Sequence, residues 1–190
     1  MKRILLLFSF ALFAAGCTKH TPYYYTITDL QLYNSDNAGE APVDAATNDV
    51  PAKSYAIRLE FTHQLADSLK GQDDESGFQV LYPVRLFTVT SLTDFDPSHP
   101  AGSELNTNFL YKTYAKSISS GDSIAAHVAG GFIGAGGVFG TRPIPETWKT
   151  NQYLVLMHPP VYFGSRSFVI YAETTDNTIL RDTITVNLLP

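Results

Sequence analysis

The alternation of apolar and polar side chains predicts that this chain folds into short β-strands. The clearest case lies between residues 54 and 63, where every second side chain is large and apolar (Tyr55, Ile57, Leu59 and Phe61). A repeat of two residues places one set of side chains on a buried face and the other set in solvent. This segment is therefore predicted to be a strand with one wet face.

Further strands are indicated by β-branched and aromatic residues between turn signals. They are predicted at 23–33, 78–82, 84–91, 114–118, 123–128, 153–157, 167–174 and 179–188, with Pro83 separating either two strands or two parts of one. In the first strand the alternation slips between Ile27 and Leu30, which predicts a bulge or a twisted edge strand. Loops are predicted at 34–51, 67–77 and 94–102, and short helical stretches at 104–111 and 143–150.

About eight short strands with one or two short helices predict an all-β fold. The expected architecture is an antiparallel β-sandwich, immunoglobulin-like or similar, and a small β-barrel is the alternative. The domain is predicted to cover residues 23–190.

The first residues carry a targeting signal in front of that domain. Lys2 and Arg3 precede an apolar run at 4–15, and small residues follow, which is the layout of a secretory signal. The run is shorter than the roughly 20 residues that span a bilayer. Its end, Ala14-Ala15-Gly16-Cys17, resembles the lipobox of bacterial lipoproteins, although position 14 usually holds Leu. Residues 1–16 are thus predicted to be a signal peptide, Cys17 to be lipidated and 17–22 to form a tether; a signal cut without lipidation is the alternative.

The net charge of the chain limits the classes of partner that it is expected to bind. The chain has 13 basic and 18 acidic residues, a formal charge of −5, and removal of Lys2 and Arg3 makes it −7. An acidic protein without a basic cluster is a poor match for nucleic acid, so the membrane is expected to be reached through the lipid alone. Thr18, Lys19 and His20 follow the cysteine, which favours the outer membrane and its periplasmic face over the cell surface.

Candidate chemistry is sparse. Asp94, Asp96 and His99 lie close enough in sequence to contact a ligand, but neither they nor the acidic run at 73–75 shows the oxygen pattern of a calcium loop. A hydrolase elbow would need a second glycine after Phe163-Gly164-Ser165-Arg166, and no phosphate-loop or dinucleotide motif is present. No metal, nucleotide or other cofactor is therefore predicted.

A glycine-rich segment at 125–140 is the least ordinary part of the sequence, with six glycines and no charged residue. One interpretation is an exposed apolar loop that contacts a ligand or partner through side chains such as Phe132 and Phe139. The favoured interpretation is a loop folded over the end of the sandwich, with Phe132 and at least one other apolar side chain buried.

A set of loop and strand motifs spans most of residues 20–190. They are Asp94-Phe95-Asp96, His99-Pro100-Ala101-Gly102-Ser103, Leu105-Asn106, Phe109, the run at 153–157, Pro159-Pro160 and the strand of Phe168 and Ile170. They resemble a family of small lipoproteins of Gram-negative bacteria defined only as a domain of unknown function. The resemblance implies a β fold and an envelope address, and it brings no activity.

The leading functional hypothesis is a non-catalytic binding or scaffold module of the cell envelope, whose partner is an envelope protein or a glycan. One alternative is a glycan-active hydrolase that draws its carboxylates from Asp94, Asp96, Glu104 and Glu146. The other is a fimbrial or adhesin-type subunit.

Overall fold

The structure, a computed structural model, describes residues 23–39, 42–66, 78–112, 122–129, 131, 133–134 and 146–190. Its strands are β1 (Tyr23–Asp36), β2 (Val43–Asp44), β3 (Asp49–Pro51), β4 (Tyr55–Leu65), β5 (Phe78–Val80), β6 (Val84–Ser91), β7 (Phe109–Lys112), β8 (Asp122–Ser123), β9 (Thr147–Leu156), β10 (Gly164–Thr174) and β11 (Ile179–Leu189). The α-helix α1 (Ile124–Ala129) and 3₁₀ turns at Ala52–Ser54 and Asn106–Asn108 complete the elements. No helix in these ranges is long and apolar enough to cross a membrane.

The strands form two sheets. The first has the order β2-β1-β4-β9-β7-β8, and β5 pairs in parallel with β1. The second has the order β3-β11-β10-β6. The long neighbours β1, β4 and β9 are antiparallel, and the β1–β4 register shifts between Ile27 and Asp29, which confirms the predicted bulge.

The core lies between the two sheets. Phe168 of the second sheet stacks on Tyr55 of the first at 6.0 Å between ring centroids and meets Phe109 edge-on at 5.8 Å. Phe87 and Tyr111 form a similar edge-on pair across the layers. The long strands therefore bury one set of alternate side chains against the opposite sheet. The predicted all-β sandwich is confirmed.

Side chains close two sides of the sandwich by acting as strand partners. The Asn106 side chain accepts a hydrogen bond from the Val89 N–H and donates one to the Phe87 carbonyl, which covers that stretch of β6. On the other side, the Asp182 carboxylate accepts a bond from the Leu32 N–H of β1. These bonds satisfy backbone groups that would otherwise form an open sheet edge.

Several predicted elements differ from the structure. Residues 124–128 form α1 instead of a strand, and 147–150 belong to β9 instead of a helical turn. The helix expected at 104–111 is a 3₁₀ turn followed by β7, since Leu105 and Phe109 are buried by sheet packing. The loop predicted at 34–51 contains the end of β1 and the short strands β2 and β3. The elements expected at 67–77 and 114–118 lie outside the described residues.

Candidate functional site

Asp94, Asp96 and His99 lie together in the loop after β6, where they hold the loop's own turns. The Asp94 carboxylate accepts the Ala101 N–H at 2.8 Å. The Asp96 carboxylate accepts the backbone N–H groups of Ser98 and His99 and contacts the His99 ring nitrogen Nδ1 at 2.8 Å. The bond from the His99 ring lowers the pKa of Asp96, which backbone bonds from Ser98 and His99 lower further. Asp and His thus act here as turn residues.

The carboxylates considered for a hydrolase do not converge. Asp94 and Asp96 lie at the end of the sandwich where β9 finishes, and Glu104 bridges Thr90 at that same end. Glu146 lies where β9 begins, and its carbonyl accepts the Leu65 N–H. Among the described residues, no group of three or more His, Cys, Asp or Glu side chains is placed to hold a metal ion. Cys17, Phe132, Phe139 and the acidic run at 73–75 lie outside the described part of the chain.

Ile133 and Gly134 of the glycine-rich segment are buried, whereas Ala125, Ala126 and Ala129 at its start are exposed. Ile133 is fully enclosed in the core, as the favoured interpretation of that segment expected for at least one apolar side chain. The Gly134 N–H donates to the Gln152 Oε1 atom at 2.8 Å, and the buried Tyr111 hydroxyl donates to the same oxygen. Gly134 has a φ of +70°, and a Cβ at this position would lie 2.5 Å from the Ile27 Cδ1 atom. The positive φ favours glycine at this position, and a larger residue would also force the Ile27 side chain to move.

The outer face of the first sheet carries a different arrangement, which we call the outer platform. Three strands place polar side chains in register on it, in rows of three that cross β1, β4 and β9. The rows are Tyr33, Arg58 and Tyr153; Gln31, Glu60 and Asn151; and Asp29, Thr62 and Lys149.

Arg58 is the centre of the outer platform. Its Nε and one terminal nitrogen each donate to a carboxylate oxygen of Asp44 at 2.8 Å, which makes the pair bidentate. Its other terminal nitrogen donates to Glu60 at 3.0 Å and to Asn151 at 2.8 Å. The guanidinium also lies over the Tyr33 ring, 3.8 Å from its centroid. These contacts leave the Arg58 side chain only 11% exposed, so it is held in one orientation.

The charges of the outer platform are almost balanced. The Lys149 Nζ atom donates to Glu60 at 2.6 Å, and this bond is the largest of several that lower the pKa of Glu60. Burial works against the charge of Arg58, but its bonds to Asp44 and Glu60 raise its pKa above the ordinary value. Within the three rows, two cations thus face the three carboxylates of Asp44, Glu60 and Asp29, and the buried Lys112 of β7 lies next to Tyr153 on the same face. The platform therefore presents many hydrogen-bonding groups and little net charge.

Three small or apolar residues close the outer platform on one side. Ser35, Ala56 and Val155 form the next row across the same strands, and all three are buried. Asp44 pairs with Ser35 in the sheet, so the ion pair of Asp44 with Arg58 crosses β1 beside this row. The platform is consequently a strip three rows deep with a covered border.

The sequence contained part of the signal for this site. The alternation at 54–63 already assigned Arg58, Glu60 and Thr62 to one wet face of a strand. Their partners on β1 and β9 depend on strand order and register, which one strand's pattern does not give. Lys149 was missed for a second reason, because 143–150 was predicted to be helical, and Asn151 lies between that stretch and the strand predicted at 153–157.

Comparison with known proteins adds no relative: no family model matches this chain, and no curated protein matches it significantly.

Proposed function

We propose that this protein is a lipid-anchored, non-catalytic binding module of a bacterial cell envelope, held at the outer membrane through Cys17. Its binding surface is the outer platform. The observation that supports this proposal most is the fixed orientation of Arg58, which has Asp44, Glu60, Asn151 and Tyr33 around it. Groups that are ordered before a partner arrives lose less conformational entropy on binding, so such a surface is suited to recognition.

The state of the carboxylates favours binding over hydrolysis. A glycoside hydrolase needs one carboxylic acid with a raised pKa to protonate the leaving group. Glu60 has a lowered pKa because Lys149 and Arg58 donate hydrogen bonds to it. Asp44 accepts both bonds of a bidentate Arg58 pair. Both carboxylates therefore accept hydrogen bonds and orient other groups, and the lowered pKa of Glu60 does not suit the role of a proton donor.

The predicted tether brings the sandwich close to the membrane. Five residues separate Cys17 from the start of β1 at Tyr23, a reach of about 18 Å when fully extended. Tyr23 lies at the end of the first sheet where β4 finishes and β9 begins. The outer platform lies on a side of the sandwich and faces neither of its ends, so a short tether leaves it open to other envelope components.

Two measurements test the proposal. Growth with labelled palmitate is expected to label the wild type and leave Cys17→Ala unlabelled; equal labelling would contradict the anchor. The full chain in detergent micelles is then incubated with fractionated envelope components, in parallel with Arg58→Ala. Arg58→Ala is expected to lose binding that the wild type shows, while Arg85→Ala on the second sheet keeps it. Equal binding by all three proteins would exclude the outer platform as the binding surface.

A further inference from the structure

We infer that the ligand of the outer platform is a neutral saccharide. This inference rests on the proposed binding function and adds the chemical class of the ligand. It depends on three properties of the platform: two tyrosines on alternate strands, a set of donors with unused hydrogen-bonding capacity, and balanced charge.

The tyrosines are spaced for a ligand longer than one sugar ring. Tyr33 and Tyr153 both pair with Arg58, one from β1 and the other from β9. Strands two positions apart are separated by about 9.5 Å, a span of roughly two linked sugar rings. Both side chains are partly exposed, and the Arg58 guanidinium fixes the Tyr33 ring and covers one of its faces, so that only the opposite face can meet a sugar. Aromatic rings of this kind offer flat apolar area to the C–H faces of a sugar.

Donors remain available between and beside the two rings. The Asn151 Oδ1 atom accepts a bond from Arg58, while its amide hydrogens have no partner within the described ranges. The ammonium group of Lys149 donates one of its three hydrogens to Glu60 and is about half exposed. Thr62, which carries a hydroxyl group, lies between Lys149 and Asp29 in the third row. A sugar presents hydroxyl groups that both donate and accept. The donors and carboxylate acceptors of the platform match both functions.

The balance of charge argues for a neutral ligand. A polyanion such as a polyuronate would be attracted by exposed, unpaired cations, but Arg58 and Lys149 both donate to carboxylates, and Lys112 beside Tyr153 is buried. A cationic peptide would find Asp44 and Glu60 already paired with cations and Asp29 bonded to Gln31. An apolar protein partner would need a large exposed hydrophobic anchor, and none of the platform residues is one. An uncharged polyhydroxylated chain is the class that remains complementary.

The test is a glycan array probed with the full chain in detergent micelles. Neutral oligosaccharides of four to eight rings (β-1,4-glucans, β-1,3-glucans and mannans) are printed beside polyuronates and sulfated glycans. We expect binding to at least one neutral chain, unchanged by 0.5 M salt. Tyr153→Ala should weaken it by about three- to tenfold, the value of one aromatic contact. Tyr171→Ala is the matched control, since Tyr171 lies on the outer face of the second sheet, and it should leave binding unchanged.

The outcomes separate the ligand class from the binding function. If the protein instead captures acidic glycans or an envelope protein, and this depends on Arg58, the inference of a neutral saccharide ligand is wrong. The proposed binding function of the outer platform would still hold. If a neutral glycan binds and Tyr153→Ala and Tyr171→Ala affect this binding equally, the outer platform is not the binding site. If Tyr153→Ala lowers the melting temperature, Asn151→Ala replaces it, since that exposed side chain has one bond to lose. An array on which the wild type binds no neutral chain overturns the inference outright.

Discussion

The two faces of the first sheet carry different kinds of polar residue, although the same strands β4 and β9 build both faces. On the outer face the polar groups are charged, and Arg58 and Lys149 each contact carboxylates at the edge of solvent. On the inner face the polar groups are neutral and deeply buried, such as the Gln152 side chain that receives bonds from Tyr111 and Gly134. Charge remains where water can still reach it, because an ion is far harder to bury than an amide.

The difference also appears in how each face treats its titratable groups. Burial raises the pKa of Tyr111 and lowers the pKa of His63 to about 4, so both remain neutral inside. On the outer face, hydrogen bonds instead lower the pKa of Glu60 and keep it ionised. Substitutions that change side-chain shape on the inner face, and changes of pH, are therefore expected to alter the stability of the protein strongly. Single substitutions on the outer face should change its stability less and should instead change ligand binding.

Gly134→Ala is expected to have the largest effect on stability. The new methyl group would meet the Ile27 Cδ1 atom at 2.5 Å in a closed core, and the φ of +70° is unfavourable for any residue with a Cβ. Together these effects should lower the free energy of unfolding by roughly 2–5 kcal/mol. Chemical denaturation of both proteins measures the difference.

Gly102→Ala is the control for this prediction. Gly102 has a similar φ of +88°, but a Cβ there would have no atom within 4 Å. It should show the backbone cost alone, about 1–2 kcal/mol. Equal losses at the two glycines would mean that the inner packing around Ile27 is looser than the structure indicates.

Acid should destabilise the inner face through His63. This side chain is fully buried between Tyr25 and Trp148, with its Nε2 atom 2.7 Å from the Thr150 hydroxyl. Burial lowers its pKa from the ordinary histidine value of 6.5, which the unfolded chain keeps, to about 4 in the folded protein. As the pH falls from 6.5 towards 4, the unfolded chain takes up the proton first, so stability is lost across this window. The total is about 3 kcal/mol.

His63→Phe should remove this part of the pH dependence. The informative quantity is the slope of unfolding free energy between pH 6.5 and 5, above the range in which most carboxylates titrate. His158→Gln, at an exposed histidine, serves as the control and should keep the wild-type slope. A wild-type slope in His63→Phe would show that another group is responsible.

Arg58→Ala should have a smaller effect, about 1–2 kcal/mol, although it removes more hydrogen bonds than any other change on the outer face. Asp44, Glu60 and Asn151 lose a donor but stay near enough to water to be solvated again. Arg58→Lys keeps the charge without the bidentate geometry and should lie between wild type and Arg58→Ala. Thermal melts at low and high salt measure these differences in stability. A loss of stability above about 3 kcal/mol in Arg58→Ala would mean that the Arg58 ion pairs behave as buried ones.

Sequence patterns predicted the inner face better than the outer one. The alternation at 54–63 assigned Tyr55, Ile57 and Phe61 to the core because burial follows directly from period two. The bulge near Ile27 was also readable, since a bulge changes which side chains face inward. Both properties belong to one strand and need no knowledge of its neighbours.

The outer platform could not be predicted in the same way. Tyr33, Arg58 and Tyr153 form a row only because β1 and β9 flank β4 in one register, which is set by tertiary packing. Helix α1 illustrates a second limit: residues 124–128 alternate weakly and were predicted as a strand, but buried Ile124 and His127 lie three residues apart, as a helix requires. In both cases tertiary packing, and not the local sequence pattern, determines the structure.

Lys149→Met should have the smallest effect on stability and the most specific effect on charge. Lys149 is about half exposed, so losing its bond to Glu60 should leave the melting temperature within experimental scatter. The pKa of Glu60 should nevertheless rise towards its ordinary value, since the bond from Lys149 is the largest cause of its lowering. Arg58 still donates to Glu60, so the rise should be partial, and the double variant with Arg58→Lys should extend it. Carboxyl resonances followed by NMR through an acid titration measure both steps. An unchanged Glu60 pKa in Lys149→Met would contradict the assignment of Lys149 as the main cause of its lowering and would leave Arg58 as the donor that holds Glu60 ionised.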